Sequence, residues 1–277
     1  MKKLLLISLL ILVSGCIDPN IKSESIVNMM ASPTQVFAGD EVSLYFDITN
    51  KDTKTINNVI FDVFDPGMFT VGEICDTEIT DENFPEIEPE EAATGYCVLT
   101  APSSSMLTQP ETSNTIKARI SFNTSLFTTQ IMKVISQDEY NLRKNTGSLV
   151  IEPKTYTYRD KNVELTVEFT EELPIIDKGE TEYVHFTIRN IGEGFLELIN
   201  REDIEIKLTD SESDILECDI PPAMTPIGKE FPKISCSIDV DKINPDGYVN
   251  YLSNYIINID IDYIYEIRKS IPVTIVR

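Results

Sequence analysis

The sequence lacks tryptophan and contains a single histidine. Serine and cysteine nucleophiles most often depend on a histidine base, so this scarcity argues against that class of enzyme. His185 lies on the polar side of an alternating segment, which predicts a solvent-facing strand residue. No GxSxG, P-loop, GxGxxG or HExxH motif occurs. A carboxylate pair is the one catalytic chemistry that so acidic a chain leaves open. We therefore expect a protein that is not an enzyme and needs no cofactor.

Basic residues are also scarce, because 23 Lys and Arg stand against 46 Asp and Glu, for a net charge of -23. A field of that sign repels phosphate backbones, so we expect no nucleic-acid partner. The same charge can attract cations or basic proteins, or it can simply keep the molecule soluble.

Long apolar runs are absent except at the N-terminus. Residues 4–13 read LLLISLLILV, which is about half the length that a membrane-spanning helix requires. Lys2 and Lys3 precede this run, and the small residues Ser14 and Gly15 follow it. The pattern predicts a signal peptide over residues 1–15 rather than a transmembrane helix.

The stretch from Leu12 to Cys16, LVSGC, resembles the lipobox of prokaryotic lipoproteins. The resemblance implies that the Cys16 thiol receives a diacylglycerol and becomes the new N-terminus, with residues 16–23 as a lipidated tether. Two acyl chains give durable anchoring. We therefore expect an extracytoplasmic, membrane-anchored protein of the cell surface or envelope. The alternative is an ordinary cleaved signal with an incidental cysteine.

The abundant residues favour strands. Isoleucine alone accounts for 37 residues, and β-branched side chains suit a pleated, half-buried surface. Residues 38–50, AGDEVSLYFDITN, and residues 178–190, KGETEYVHFTIRN, share one alternating pattern that ends in Asn50 or Asn190. Each predicts a strand with one buried face, set between two turns.

Further landmarks recur at nearly the same separation. Cys97 and Cys236 form one such pair, and the segments 131–136 and 271–276 form another, with offsets that differ by a single position. Landmarks in the same order indicate an internal duplication, with domains over residues 24–150 and 151–277. The segment 253–269 predicts a strand pair with Ile257, Ile259, Ile261 and Tyr263 on one face. A short helix is expected over 136–144, and residues 138–160 are either a linker or a shared strand.

The Gly-acid turn, alternating strand and terminal Asn resemble the CARDB and related immunoglobulin-like domains of prokaryotic surface proteins. The strand that contains Tyr263 and Tyr265 is similar too, although the first copy has Thr124 and Leu126 there. The resemblance implies an all-β fold of two tandem immunoglobulin-like β-sandwiches. It also implies a non-catalytic role in adhesion, envelope structure or spacing, with protein or glycan partners. The alternatives are an accessory lipoprotein of a secretion or filament assembly, and a calcium-dependent binding module.

Four cysteines remain after Cys16, two in each copy. An extracytoplasmic location permits disulfides, and equivalent placement predicts the bridges Cys75–Cys97 and Cys218–Cys236. A metal site made of four cysteines would need closely spaced pairs, which are missing. Four free core thiols are the remaining alternative.

Two weaker signals complete the prediction. The loop DVDKINPDG offers oxygen ligands for calcium, and the candidate ligands are Asp239, Asp241, Asn244 and Asp246. The spacing of these residues departs from the EF-hand rule. The same loop also suits a plain Asp-Gly turn between strands. Asn123-Thr124-Ser125 matches a glycosylation sequon.

Overall fold

The computed structural model describes residues 26–72, 86–178, 181–209, 215–239 and 252–277. Strands dominate these ranges, in agreement with the predicted all-β fold class. The strands are β1 (Ile26–Ser32), β2 (Gln35–Phe37), β3 (Glu41–Thr49), β4 (Ile56–Asp65), β5 (Thr70–Val71), β6 (Glu86–Ile87), β7 (Ala92–Thr100), β8 (Glu111–Ser136), β9 (Thr155–Arg159), β10 (Val163–Phe169), β11 (Ile175–Asp177), β12 (Glu182–Asn190), β13 (Ile199–Asn200), β14 (Ile204–Leu208), β15 (Leu216–Asp219), β16 (Ala223–Met224), β17 (Ile234–Ile238) and β18 (Ser253–Val276).

The α-helix is α1 (Gln137–Thr146), which confirms the helix expected over residues 136–144. The side chain of Ser136 caps its first turn by accepting a hydrogen bond from the backbone N–H of Glu139. Gly147 ends it in the left-handed conformation, with φ of 69°. Among the described residues, two further helical segments are short 3-10 turns at Ser104–Met106 and Arg201–Asp203. No helix in the described ranges has the length and apolar character needed to cross a membrane.

Alternating burial explains why the two repeated segments form strands. β3 buries Val42, Leu44, Phe46 and Ile48, and β12 buries Val184, Phe186 and Ile188. β3 lies in a four-stranded sheet of order β1-β3-β7-β5, and β12 lies in a five-stranded sheet of order β15-β17-β12-β10-β9. The same element of the repeat therefore has the same place in each half.

A third sheet runs through both halves. Its order is β14-β18-β8-β4-β6, with β2 added beside β18 and β11 added beside β8. β8 and β18 pair antiparallel without interruption, from the partners Glu111 and Val276 at one end to the partners Val134 and Ser253 at the other. The segment 253–269 is therefore part of a single 24-residue strand, and the predicted strand pair is wrong. The side chains of Ile257, Ile259, Ile261 and Tyr263 do share one buried face, as expected.

The pairing of β8 with β18 places equivalent residues of the two copies opposite one another. Thr124 pairs with Tyr263, which is its counterpart in the repeat because the two are separated by the same offset as Cys97 and Cys236. At the two ends, β2 pairs in parallel with β18 and β11 pairs in parallel with β8. A local two-fold axis therefore passes between Thr124 and Tyr263.

Strands are exchanged between the two halves around this axis. Residues 117–123 of β8 pair with β4 in the first half, and residues 264–276 of β18 pair with residues 111–123 of β8 on the opposite side. Residues 131–136 of β8 extend into the second half, where β11 joins them. Each half thus receives its last strand from the other half. The sequence predicted two sandwiches in series and did not predict this exchange, and the boundaries 24–150 and 151–277 stay predictions.

The connection between the copies is helix α1 followed by an irregular stretch to β9. Glu152 and Leu173 form an isolated bridge there, and β9 then adds an edge strand beside β10. The sequence left open whether residues 138–160 are a linker or a shared strand. In the structure they contain a connecting segment followed by β9, a strand of the second half.

Candidate functional site

A groove of about 650 Å³ lies over the middle of the shared sheet, next to the local two-fold axis. Its floor consists of residues from β4, β8 and β18, and its wall is the loop that joins β12 to β14. We call it the central groove and define it by its lining: Thr55, Asn57, Asn58, Asn123, Thr124, Ser125, Phe195, Glu197, Leu198, Asn200, Asp203, Asp262, Tyr263, Ile264 and Glu266.

Amide side chains form the floor. Asn57 of β4 pairs with Asn123 of β8, and Asn123 pairs in turn with Ile264 of β18, so the three side chains form a row across the sheet. The register of β4 shifts directly after Asn57. Asn58 adopts φ of 50°, a left-handed conformation that is uncommon for residues other than glycine. Bulges and such backbone conformations are frequent at functional sites.

The wall arises from a difference between the two copies. Residues 50–55 join β3 to β4 in the first half, whereas residues 191–203 make the corresponding connection in the second. Phe195 attaches this longer loop to the edge of β18 through two backbone hydrogen bonds with Glu266, of 2.7 and 2.9 Å. Arg268 lies over the Phe195 ring, 4.1 Å from its centroid. The loop is thus held over the sheet at a fixed place.

The lining contains four carboxylates and no lysine or arginine. Glu266 is ion-paired with Arg119 and Arg268, and Arg268 also pairs with Glu197. Asp203 accepts hydrogen bonds from the backbone and side-chain nitrogens of Asn200, at 2.8 and 3.0 Å.

Asp262 is the groove carboxylate with neither an ion pair nor a hydrogen bond in the described part of the chain. Partial burial, and then the charges of Asp260 and Asp203, raise the pKa of its carboxyl above the usual value. One oxygen of Asp260 is buried without a hydrogen-bond partner. Even so, the described ranges hold no group of three or more His, Cys, Asp or Glu side chains that could bind a metal ion.

A buried polar cluster supports the floor from the inner face. The hydroxyl of Tyr263 donates to Asp160 at 2.7 Å and accepts from Asn162 at 3.4 Å. Asp160 also accepts from the backbone N–H groups of Asn162 and Val163. Burial raises the pKa of Asp160, and nearby Asp52 adds to the effect. Burial and Asp160 together raise the pKa of Tyr263. The cluster joins the turn before β10 to the centre of β18.

The two repeated asparagines have a structural role. Asn50 accepts a hydrogen bond from the N–H of Asp52 and donates to the carbonyl of Lys54. Asn190 does the same with Gly192 and Gly194. Both side chains are buried and replace backbone partners in a turn. The repeated Asn is therefore explained by loop geometry.

Of the residues that line this groove, the sequence analysis singled out Tyr263 and the sequon Asn123-Thr124-Ser125. Asn123, proposed as a glycosylation acceptor, lies on the floor in the middle of β8. Asn57, Asn58 and the wall were missed. The available signals were the Asn-Asn doublet inside an apolar strand, where asparagine is disfavoured, and the extra residues after Asn190.

The disulfide Cys218–Cys236 is present, with an S–S distance of 2.00 Å. The two cysteines are directly opposed on β15 and β17, so the bridge joins neighbouring strands of one sheet. Cys97 is also disulfide-bonded, but Cys75 lies outside the described residues.

The other predicted positions fall in different places. Cys16 is outside the described residues, as are Asp241, Asn244 and Asp246 of the calcium hypothesis. Asp239 is described and donates its backbone N–H to Ile215 at 2.9 Å. His185 is half-buried on the outer face of β12, with Nδ1 3.0 Å from the Ser235 hydroxyl.

Comparison with known proteins adds little to this geometry. No protein-family model matches the chain, and no curated protein matches it. Among solved structures, the chain is similar to a protein of unknown function from Porphyromonas gingivalis W83, at 10% sequence identity over 79% of this chain and 87% of that chain. The TM-score of 0.20 is too low to support an argument about fold or function.

Proposed function

We propose that the chain is a non-catalytic, lipid-anchored protein of the cell surface, in which two immunoglobulin-like sandwiches form one rigid spacer that presents a binding groove. The strand orders support the immunoglobulin-like assignment. In that fold one sheet has the order A-B-E-D and the other contains C, F and G. The orders β1-β3-β7-β5 and β10-β12-β17-β15 match the first sheet, and β4-β8-β18 and β14-β18-β8 match the second.

The observation that carries the spacer function is the uninterrupted pairing of β8 with β18. At roughly 3.4 Å per residue, its 24 residue pairs extend for about 80 Å along the strands. A linker between domains permits relative motion, whereas a continuous ladder of backbone hydrogen bonds through both halves restricts such motion. The protein therefore holds whatever it binds at a fixed distance from its attachment point.

The membrane attachment rests on the leader and the lipobox-like Cys16, and the disulfide Cys218–Cys236 is consistent with an oxidising compartment. Metabolic labelling with an alkyne fatty acid tests it. The wild-type protein should be labelled and should enter the detergent phase, whereas Cys16→Ser should do neither. An unlabelled wild-type protein that stays inside protease-treated intact cells would contradict the proposal.

The rigidity is tested separately by pulsed electron paramagnetic resonance. Spin labels at Met106 and Ile227, exposed positions in the first and second halves, should give one narrow distance distribution. A broad distribution, such as two domains on a flexible linker produce, would exclude the spacer function without bearing on the anchor.

A further inference from the structure

Three asparagines of the central groove have side-chain amides with no hydrogen-bond partner in the described part of the protein. They are Asn57, Asn58 and Asn123. Each amide offers two donors and an acceptor. They lie on paired strands of a continuous sheet, so their positions are fixed before any ligand arrives. The floor therefore presents several adjacent groups that both donate and accept hydrogen bonds.

Exposed apolar side chains stand next to these amides. Phe195 and Leu198 of the wall are 43% and 44% exposed, and Ile264 of the floor is 58% exposed. A ligand that satisfies the amides and also covers these side chains must combine polar groups with an apolar face. Sugar rings have this combination, since hydroxyls lie around the ring and C–H groups lie on its faces.

The charges of the groove narrow the class of ligand further. The four carboxylates of the lining outnumber the adjacent cations Lys54, Arg119 and Arg268, so the groove disfavours phosphate, sulfate and uronate groups. Glu197 and Glu266 are already paired with Arg268, so half of the carboxylates have a cation. The remaining two, Asp203 and Asp262, can accept hydrogen bonds from hydroxyl groups, which are stronger to a charged acceptor than to a neutral one.

From these contacts we infer that the central groove binds an uncharged oligosaccharide, with the Asn57 and Asn123 amides and the Asp262 carboxylate bonded to its hydroxyls and Phe195, Leu198 and Ile264 against its ring faces. The volume of about 650 Å³ lies within the usual range for small-ligand sites. This inference names the ligand class of the groove in the proposed function and rests on that part of it, but it does not depend on the lipid anchor.

The test uses the full chain purified in detergent and an array of neutral oligosaccharides made of hexoses and N-acetylhexosamines, followed by titration calorimetry. The double variant Asn57→Ala/Asn123→Ala should bind the best neutral ligand at least about tenfold more weakly, because two hydrogen-bonding groups are lost. The affinity of the wild-type protein should change little as salt is raised, since the bonds do not depend on a net ion pair.

Asn254→Ala is the matched control. Asn254 is an exposed asparagine on the same strand as Ile264, well outside the groove, and its replacement should leave binding unchanged. Circular dichroism and melting temperature establish that each variant is folded.

Three outcomes would overturn the inference. One is the absence of binding to every neutral oligosaccharide at millimolar concentration. Another is equal binding by the wild type and the groove double variant. The third is binding of oligolysine alone that salt abolishes, which would identify a site for basic peptides instead.

Discussion

Tyr263 connects a buried carboxylate to the centre of the shared sheet. Its hydroxyl is one of three donors to Asp160, and 3% of the residue is exposed. An unsatisfied buried acceptor costs more than the average hydrogen bond contributes, particularly when the acceptor is charged. The contact therefore has a larger effect on stability than its single bond suggests.

We expect Tyr263→Phe to lower the free energy of unfolding by about 2 kcal/mol, because it removes a donor from a buried carboxylate. Urea denaturation at neutral pH measures the change. Tyr183→Phe is the matched control, because Tyr183 is an exposed tyrosine of β12 and its replacement should have little effect. Equal stabilities of the two variants would show that the Tyr263 hydroxyl is not needed.

Asp160 gives a prediction about pH. Its pKa is raised in the folded protein, so the folded state binds a proton more tightly than the unfolded chain does. Ionised Asp160 therefore destabilises the fold at neutral pH, and the penalty is relieved as the pH falls through the raised pKa toward about 4. The stability of the wild type relative to Asp160→Asn should rise over that interval in urea titrations. A difference that stays constant with pH would contradict this account.

Individual residues were predictable where a repeat or a periodicity marked them. The alternation of apolar and polar residues predicted the buried faces of β3, β12 and β18. The equivalent placement of cysteines in the two copies predicted the disulfide between Cys218 and Cys236. The amide row of the groove could not be predicted in this way. Asn57 and Asn123 are far apart in the sequence, and only the register between β4 and β8 brings them together.

Among the elements, β15 and β17 are joined by a covalent bond as well as by their ladder. Cys218 and Cys236 are 18 residues apart, and closing a loop of that length stabilises by roughly 3 kcal/mol on the chain-entropy estimate. β15 is a short edge strand with alternate side chains exposed. The bridge therefore secures a strand that has little burial of its own.

Replacing both cysteines, as in Cys218→Ala/Cys236→Ala, should lower the free energy of unfolding by about 3 kcal/mol. Guanidinium denaturation under oxidising conditions measures this loss. A reducing agent should lower the stability of the wild type by more than that of the double variant, since the variant has already lost this bridge. Equal stability of the two oxidised proteins would rule out a stabilising role.

The lengths of elements were harder to predict than their existence. The pattern from residue 253 onward correctly indicated strand, but the segment 253–269, which contains Glu266 and Arg268, was predicted as a pair of strands and not as one continuous strand. In the structure these two residues stay in β18 and form ion pairs with each other and with their neighbours. The charged residues therefore form ion pairs within β18 and with neighbouring elements, and they do not mark the end of the strand.

In the molecule as a whole, the shared sheet makes the two halves depend on each other. Each half is completed by a strand segment from the other, and the buried apolar residues form one continuous cluster. Independent domains unfold independently, whereas elements with a common sheet unfold together.

Ile275→Ala tests this dependence, because Ile275 is fully buried near the end of β18, where it pairs with β2 of the first half. We expect a loss of about 2–5 kcal/mol. Native-state hydrogen exchange should show the loss equally at amides of β3 and β12. Ile188→Ala in β12 is the reciprocal control. Faster exchange confined to β3 for the first variant and to β12 for the second would indicate two separate units.

The alternation of apolar and polar residues indicated an all-β fold, and the nearly constant separation between equivalent landmarks indicated a duplication. It could not indicate that the last strands are exchanged. Whether residues 111–136 turn back on themselves or continue straight depends on pairing with residues in the other copy, far away along the chain, and either course satisfies the same local pattern.

The exchanged strands also set the order in which the molecule can be assembled during biosynthesis. Residues 264–276 complete the first half, yet the ribosome adds them long after β1 to β7. The nascent first half must therefore wait, with an open sheet edge, until translation has passed the whole second half. Stable folding of the first half is therefore expected only after β18 has been synthesised.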